Sequence, residues 1–229
     1  APEDVVLPMS FNHRSSEYIP PIEHLVETHL RGDAQARWTL PFIATEEQAR
    51  EIIAKTFGQI TMIDDAIGTV LGSLRDSGLA DDTVVCFMSD HGDWMGDHGL
   101  FLKGPLPYQS LIRTPFVWRD PNSIFNSGEI EGVAGTLDVA RTILQRAGLA
   151  PFTGIQGKNL LPALCGSDTL RGRAMLIEQQ TQYAYLGFDH LVRVNTLVNE
   201  CRRVSVWEGK PWGEFYDLDS DPNECVNLW

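Results

Sequence analysis

The residues best suited to chemistry in this sequence follow a short apolar run at positions 84–88. Asp90 and His91 are adjacent there, and Gly92 comes next. A carboxylate oxygen and an imidazole nitrogen on one turn can both reach a single divalent cation, and the glycine lets the backbone turn sharply beside it. The same three residues also fit a structural turn, in which Asp90 accepts hydrogen bonds from backbone amides. Metal binding and a simple turn are therefore both open at this point.

The next segment, residues 92–104, is a polar loop that contains several glycines and one lysine, Lys103. Long loops without regular structure are uncommon in compact domains unless they build a functional site. Lys103 offers a positive point charge to an anionic oxygen, although a solvated surface lysine is the simpler interpretation. Together these residues could form a site for a cation and an anion.

A long helix precedes this segment. Thr45 is a good N-cap with Gln48 three residues later, and Gly78 is a natural stop. Before Thr45, the proline-rich stretch 1–41 predicts a loop-like segment with a short helix at 22–30. Between cap and stop, apolar side chains recur at helical spacing at Ile53, Phe57, Ile60, Ile67, Val70, Leu71 and Leu74.

The run at 84–88 has the pattern of a strand that is buried on both faces. A helix that leads into such a strand, followed by a second strand at 116–118 and a helix at 137–147, predicts a parallel α/β sheet. In open α/β sheets, ligands bind beyond the carboxyl ends of the strands. This arrangement would place Asp90 and His91 at that edge.

After about residue 166 the sequence changes to short strand candidates joined by tight turns, which predicts antiparallel pairing. We therefore divide the chain into an α/β part at 1–165 and a small antiparallel subdomain at 166–229. The predicted strands are 174–178, 183–187, 191–198, 203–207 and 214–216.

Composition limits the classes of partner. The 229 residues include 43% hydrophobic ones, enough for a sizeable core, and their formal net charge of −13 disfavours a nucleic acid. No apolar run approaches the roughly 20 residues of a membrane helix, so we expect no membrane partner. The four cysteines lack the C-x-x-C spacing of zinc or redox sites, and free, mostly buried thiols are expected, with a Cys201–Cys225 disulfide as the alternative.

The loop S-D-H-G-D-x-x-G-D-H-G-L-x-x-K-G at 89–104 resembles the signature loop of sulfatases and phosphonate monoester hydrolases in the alkaline-phosphatase superfamily. The resemblance covers nearly the whole chain. It includes I-D-D-x-I-G at 63–68, R-T-P at 113–115, G-K-N-L-L-P at 157–162 and E-F-Y-D-L-x-x-D-P-x-E-x-x-N-L at 214–228. It implies an alkaline-phosphatase-like α/β fold, with a mostly parallel sheet flanked by helices and then the small antiparallel subdomain.

The resemblance also implies roles for individual residues. Asp90 and His91 should bind the catalytic divalent cation, expected to be calcium, with manganese or magnesium as alternatives. Lys103 should contact sulfate or phosphate oxygens and stabilise charge in the transition state. His98 is a candidate for contact with the leaving group, against a loop-stabilising hydrogen bond, and Trp94 either lines the substrate site or caps the loop.

The sequence also departs from the family pattern. The family's nucleophile is a formylglycine made from C/S-x-P/A-x-R, and neither this motif, nor the later P-H-x-P-like stretch, nor the Asp-Asp pair that ends the family's first strand is present. The resemblance therefore implies the C-terminal portion of a metal-dependent sulfuric ester hydrolase. A phosphonate or phosphodiester monoester hydrolase, or a catalytically silent fragment, is the alternative.

The expected ligand is a small-molecule sulfate or phosphate ester. The expected protein partner is the missing N-terminal half or a second copy of the chain. The sequence leaves localisation open between cytoplasm and periplasm.

Overall fold

The computed structural model describes residues 1–13, 19–30, 41–122 and 128–229. Parts of the predicted loop-like segment, 14–18 and 31–40, lie outside the described residues. The helices of the described residues are α1 (Pro20–Leu30), α2 (Glu46–Asp76), α3 (Gln109–Ile112), α4 (Thr136–Arg146) and α5 (Leu161–Leu164). Their strands are β1 (Phe42–Ile43), β2 (Val85–Met88), β3 (Trp94–Met95), β4 (Leu100–Leu102), β5 (Phe116–Arg119), β6 (Met175–Gln180), β7 (Arg193–Val198), β8 (Arg202–Trp207) and β9 (Gly213–Asp217).

Helix α2 begins and ends where its sequence signals predict. The Thr45 hydroxyl accepts a hydrogen bond from the Gln48 amide at 3.3 Å, and the Thr45 amide donates to the Gln48 side chain at 3.1 Å. These two bonds satisfy amides that the first turn leaves without helical partners. The helix ends at Asp76, and Gly78 has a φ of 72°, which costs glycine little.

The apolar run forms strand β2, but its pairing and its burial differ from the sequence prediction. β2 pairs with β5 in the antiparallel sense, and every strand pair among the described residues is antiparallel. A parallel return needs a long crossover, usually a helix. The connection from β2 to β5 contains two short strands, a 3₁₀ turn at Asp97–Gly99 and the single turn of α3, and none of these is a crossover helix. No residue of β2 is fully buried, because the described part of the chain leaves one face of this pair partly open.

The loop that follows β2 folds as a hairpin. β3 and β4 pair with each other, and β4 also pairs with β1. The main core lies beneath this hairpin and combines residues of α1, the hairpin, the loop after β4 and the strands β7 to β9, including Ile22, Trp94, Leu106, Val194 and Trp207. One core therefore spans both sides of the predicted boundary at 165/166, and that boundary stays a prediction.

The antiparallel C-terminal sheet is confirmed, with the strand order β6-β7-β8-β9. The strand predicted at 183–187 is wrong. Leu186 and Gly187 have φ values of 57° and 78°, so the chain turns there, and an extended strand cannot continue through two left-handed residues.

Two further findings concern covalent state and membranes. All four cysteines are free, as expected, but the expectation that most are buried is wrong, because Cys165 is exposed and the other three are only partly buried. Among the described residues, no helix has the length and apolar character needed to cross a membrane.

Candidate active site

The segment after β2 is a turn fixed by its own hydrogen bonds. The Ser89 hydroxyl donates to the His91 carbonyl at 2.8 Å, and the His91 amide donates to the Asp90 carboxylate at 3.0 Å. The Gly92 amide donates to the Leu111 carbonyl at 2.8 Å, which ties the turn to α3. Asp90 and His91 are thus held at the carboxyl end of β2, where the sequence predicts them.

Lys103 converges on the same point from the end of the hairpin. Its ammonium lies 2.8 Å from Nε2 of His91. An ammonium can only donate, so Nε2 must accept, and the proton of the neutral imidazole is on Nδ1, which donates to the Gly92 carbonyl at 2.7 Å. The Nε2 lone pair of His91 therefore points toward Lys103 and accepts its hydrogen bond.

Asp90 completes this cluster. Its carboxylate lies 3.6 Å from Nε2 of His91, and the hydrogen bond from the His91 amide lowers the pKa of Asp90. A carboxylate and an imidazole lone pair that face one volume are donors suited to a divalent cation. A cation bound to Nε2 would compete with Lys103 for this lone pair. Within the described residues, no group of three or more His, Cys, Asp or Glu side chains is placed to hold a metal ion, so these two donors form only part of a coordination shell.

The position of Lys103 depends on the backbone on either side of it. Leu102 has a φ of 70°, an unfavourable left-handed conformation that redirects the chain at the end of β4. On the other side, the Gly104 carbonyl accepts a hydrogen bond from the Gln179 side chain of β6 at 3.1 Å. The hairpin and the C-terminal sheet together direct this lysine back toward His91.

Gly92 packs too closely on α3 for any side chain. A Cβ at this position would lie 2.0 Å from the Ser110 carbonyl oxygen, so Gly92→Ala requires a backbone shift. We expect this change to lower the free energy of unfolding by about 1–3 kcal/mol. The matched control is Gly58→Ala, because Gly58 lies in α2 with open space around it. Removing a helical glycine should raise stability by about 0.5–1 kcal/mol. Urea unfolding of both variants measures the difference, and a neutral Gly92→Ala would contradict the tight packing.

Trp94 and His98 lie under the loop and not in the cluster. Both side chains are buried in the described structure. The ring centroids of His98 and Tyr108 are 4.3 Å apart. The backbone amide of His98 donates a hydrogen bond to the Ser10 hydroxyl at 3.3 Å. In this structure both side chains pack under the loop, and their contacts with a leaving group or substrate stay predictions.

Burial should make His98 a source of acid sensitivity. Burial, then repulsion by His13 and Arg203, lowers the pKa of His98 to about 3. As pH falls below the ordinary value near 6.5, the unfolded chain takes up a proton at this residue and the folded chain does not. Stability is therefore lost from about pH 6.5 down to about pH 3 and is retained above that window.

We expect His98→Asn to remove this loss, because asparagine does not titrate and tolerates the φ of 53° at this position. Between pH 7 and pH 5 the wild-type chain should lose about 2 kcal/mol more than the variant. Urea unfolding at both pH values tests the difference. Equal losses would show that His98 takes up its proton in the folded state.

A buried charged network supports the loop from below. The Arg203 guanidinium is fully buried and donates to Glu224, to Glu214 at 3.0 Å and to the Ser205 hydroxyl at 2.6 Å. Glu224 in turn accepts from the Gln109 amide at 2.7 Å, at the start of α3. Burial alone would lower the pKa of Arg203, but the two carboxylates outweigh it, so the pKa is raised and the charge is kept. The sheet is thus joined to the segment that packs on Gly92.

The Glu214 carboxylate also accepts a hydrogen bond from the Tyr108 hydroxyl at 2.8 Å. Burial raises the pKa of Tyr108 well above its ordinary value and keeps this donor protonated. This network was not predicted from the sequence. The available signal was the pair of polar residues, Arg203 and Ser205, that alternates with valines along β8.

Comparison with known families gives two overlapping matches. The sequence model described as Sulfatase matches residues 22–149. The model described as N-sulphoglucosamine sulphohydrolase, C-terminal, matches residues 96–229. Between them, these matches include the hairpin, the cluster at the end of β2 and the C-terminal sheet.

Individual proteins agree with these matches. The chain is 31% identical over 194 residues to the multifunctional alkaline phosphatase superfamily protein PehA of Trinickia caryophylli, covering 80% of this chain and 37% of that protein. It is 28% identical over 194 residues to an arylsulfatase of Clostridium perfringens, covering 81% of this chain and 37% of the relative. This chain therefore spans well under half the length of these curated relatives.

The fold has a close counterpart among solved structures. The phosphonate monoester hydrolase of Agrobacterium radiobacter superposes with a TM-score of 0.77 at 24% identity, covering 100% of this chain and 47% of that protein. This similarity establishes an α/β fold of the same kind.

Proposed function

This chain belongs to the sulfatase family of the alkaline-phosphatase superfamily, and we propose that it is the C-terminal part of a metal-dependent sulfuric ester hydrolase. The observation that supports this proposal best is the convergence of Asp90, His91 and Lys103 at the end of β2, with Lys103 2.8 Å from His91. A cation donor pair beside a fixed ammonium suits an ester that carries a dense negative charge. The proposed substrate is a small-molecule sulfate ester.

In this proposal, Asp90 and His91 hold one side of the cation, which we expect to be calcium, with manganese or magnesium as alternatives. When bound, the cation would stabilise negative charge on the ester oxygens. Lys103, released from the His91 lone pair, would donate to a sulfate oxygen and stabilise the charge that develops as the S–O bond breaks. Asp90 and His91 supply only two donors, and calcium takes six to eight, so the remaining ligands must come from elsewhere.

The proposal also requires a nucleophile, and the formylglycine motif of the family does not occur in these 229 residues. We assign it to an upstream portion of the same protein, since this chain spans 37% of the length of its curated relatives. A bound cation and Lys103 can only polarise an ester, and turnover needs a positioned attacking group.

The test compares two polypeptides, residues 1–229 alone and the same residues preceded by the upstream coding sequence. We expect calcium- or manganese-dependent hydrolysis of p-nitrophenyl sulfate by the longer polypeptide and no turnover by the short one. Preference for a p-nitrophenyl phosphonate would assign the protein to the phosphonate hydrolases instead. Metal-dependent turnover by the purified short chain would show that the nucleophile lies within these residues.

A further inference from the structure

Residues 181–192 form a loop between β6 and β7 that is held at both ends. At its neck, the Thr181 amide donates to the Val192 carbonyl and the Val192 amide donates to the Thr181 hydroxyl, both at 2.9 Å. Between these ends, Leu186 is buried in the main core, and its φ of 57° turns the chain. Compact loops fixed by their own side chains frequently carry function. This loop therefore presents its other side chains from a defined position.

Two tyrosines of this loop lie together beside the backbone that follows Lys103. The ring centroids of Tyr183 and Tyr185 are 5.2 Å apart, and the ring planes meet at 45°. A Cβ at Gly104 would lie 3.4 Å from the Tyr185 hydroxyl oxygen, so this hydroxyl sits beside the residue that follows Lys103. Just before the loop, the Gln179 side chain donates to the Gly104 carbonyl at 3.1 Å and fixes the same approach. The tyrosine pair and the lysine are therefore neighbours.

Packing in the core explains only part of this arrangement. The Tyr185 ring packs against the main core, but among the described residues its hydroxyl has no hydrogen-bond partner. Tyr183 is not a member of that core and is 47% exposed. Burial, followed by the neighbouring Tyr183, raises the pKa of Tyr185, which keeps its hydroxyl a proton donor. A ring face and an unused donor suit the organic part of a ligand better than its anionic group.

The spacing suits an ester whose anionic group is held at Lys103. Consecutive Cα atoms are about 3.8 Å apart, so the Tyr185 hydroxyl oxygen lies within roughly 9 Å of the Cα of Lys103. A lysine side chain and the organic group of a small ester together cover a distance of this order. The organic group of such an ester can therefore reach the two tyrosines.

We propose that Tyr183 and Tyr185 form one wall of the substrate site and select esters whose organic group is a ring, either an aryl group or a sugar. Both kinds of ring have an apolar face that stacks on an aromatic side chain, and a sugar also has hydroxyls that accept from a phenol. This inference rests on the proposed function for the place of the anionic group at Lys103. It gives the tyrosines a role in selectivity and none in bond cleavage.

Three stable sulfonates test the ring contact without any turnover. Methanesulfonate, benzenesulfonate and the sugar sulfonate sulfoquinovose share one anionic group, and only the last two carry a ring. Their dissociation constants are measured by isothermal titration calorimetry on the longer polypeptide in saturating calcium. We expect a ring preference, which means that at least one ring-bearing sulfonate binds about tenfold more tightly than methanesulfonate. Preference for benzenesulfonate assigns an aryl ester, and preference for sulfoquinovose assigns a sugar ester.

Substitutions in the loop test the residues themselves. Tyr183→Ala should reduce the ring preference to about twofold or less and leave the dissociation constant of methanesulfonate unchanged. Tyr185→Phe keeps the ring but removes the donor, so for a sugar ester it should weaken sulfoquinovose by about three- to tenfold. The matched control is Phe188→Ala, which should retain the ring preference. This aromatic residue belongs to the same loop, but its ring stacks on Trp212, with centroids 6.2 Å apart.

Equal affinities of the wild-type protein for all three sulfonates would overturn the proposal. A Tyr183→Ala variant that weakens all of them equally would overturn it too, since a purely structural role predicts that result. Loss of the ring preference in Phe188→Ala would likewise reject a specific role of the two tyrosines. If no sulfonate binds, the anion site and this inference are both rejected. Turnover of p-nitrophenyl sulfate is measured separately, so a ring preference in a protein without turnover would retain this inference and reject the proposed reaction.

Discussion

Replacing Asp90 by alanine in the longer polypeptide should abolish turnover of p-nitrophenyl sulfate, and Lys103→Ala should reduce kcat by about 10²- to 10³-fold. The two effects differ because the two side chains are assigned different tasks. In the proposed site, Asp90 is one of two cation donors among the described residues, whereas Lys103 acts beside a cation that stabilises the same charge. Steady-state kinetics at saturating calcium or manganese measures both changes.

Controls for this prediction are available on the surface of the same chain. Lys55 forms an exposed ion pair with Glu51 on α2 at 2.6 Å, and Asp168 lies 3.7 Å from exposed Arg171. Lys55→Ala and Asp168→Ala remove the same charges from exposed ion pairs outside the cluster and should leave kcat unchanged. Full activity of the Lys103→Ala enzyme would contradict the proposed contact between Lys103 and the ester. Full activity of Asp90→Ala would exclude Asp90 as a required cation ligand.

Local signals in the sequence were sufficient to predict much of this architecture. The cap at Thr45, the glycine stop at Gly78 and the position of β2 depend on neighbouring residues alone, and the structure confirms them. The meeting of Asp90, His91 and Lys103 was also predictable. The rule that ligands bind beyond the carboxyl ends of strands predicts the positions of Asp90 and His91. The spacing of the family's signature loop predicts that Lys103 joins them.

The sequence predictions that the structure contradicts concern features that depend on distant parts of the chain. The run 84–88 predicts a strand buried on both faces, but burial depends on what covers the strand, and the described residues leave it half exposed. The supposed strand at 183–187 has suitable residue types, yet the left-handed backbone at Leu186 ends it. His98 is buried where its ring packs against Tyr108, ten residues later in the chain. The residues next to His98 in the sequence do not predict this contact.

Arg203→Ala should be the most destabilising single change in this part of the protein, with a loss of about 3–5 kcal/mol in the free energy of unfolding. Glu214 and Glu224 would then be left as buried carboxylates without their shared cation. Arg203 also lies over the rings of Tyr108 and Tyr216, 5.1 and 4.8 Å from their centroids, and the change removes both contacts. Chemical unfolding of residues 1–229 measures the loss, with Arg171→Ala as the exposed control.

A milder variant keeps the prediction testable if Arg203→Ala does not fold. Glu224→Gln preserves the size of the side chain, but its single amide oxygen can accept from either the Gln109 amide or Arg203 and not from both, so one of these two hydrogen bonds is lost. Its expected cost is about 1.5–3 kcal/mol, the worth of a hydrogen bond to a charged group. Because Gln109 begins the helix that packs on Gly92, this variant should also loosen the turn that carries Asp90 and His91. Amide hydrogen exchange at the Gly92 amide, which bonds to the Leu111 carbonyl, should therefore become faster. Unchanged stability and unchanged exchange would show that the network does not support the site.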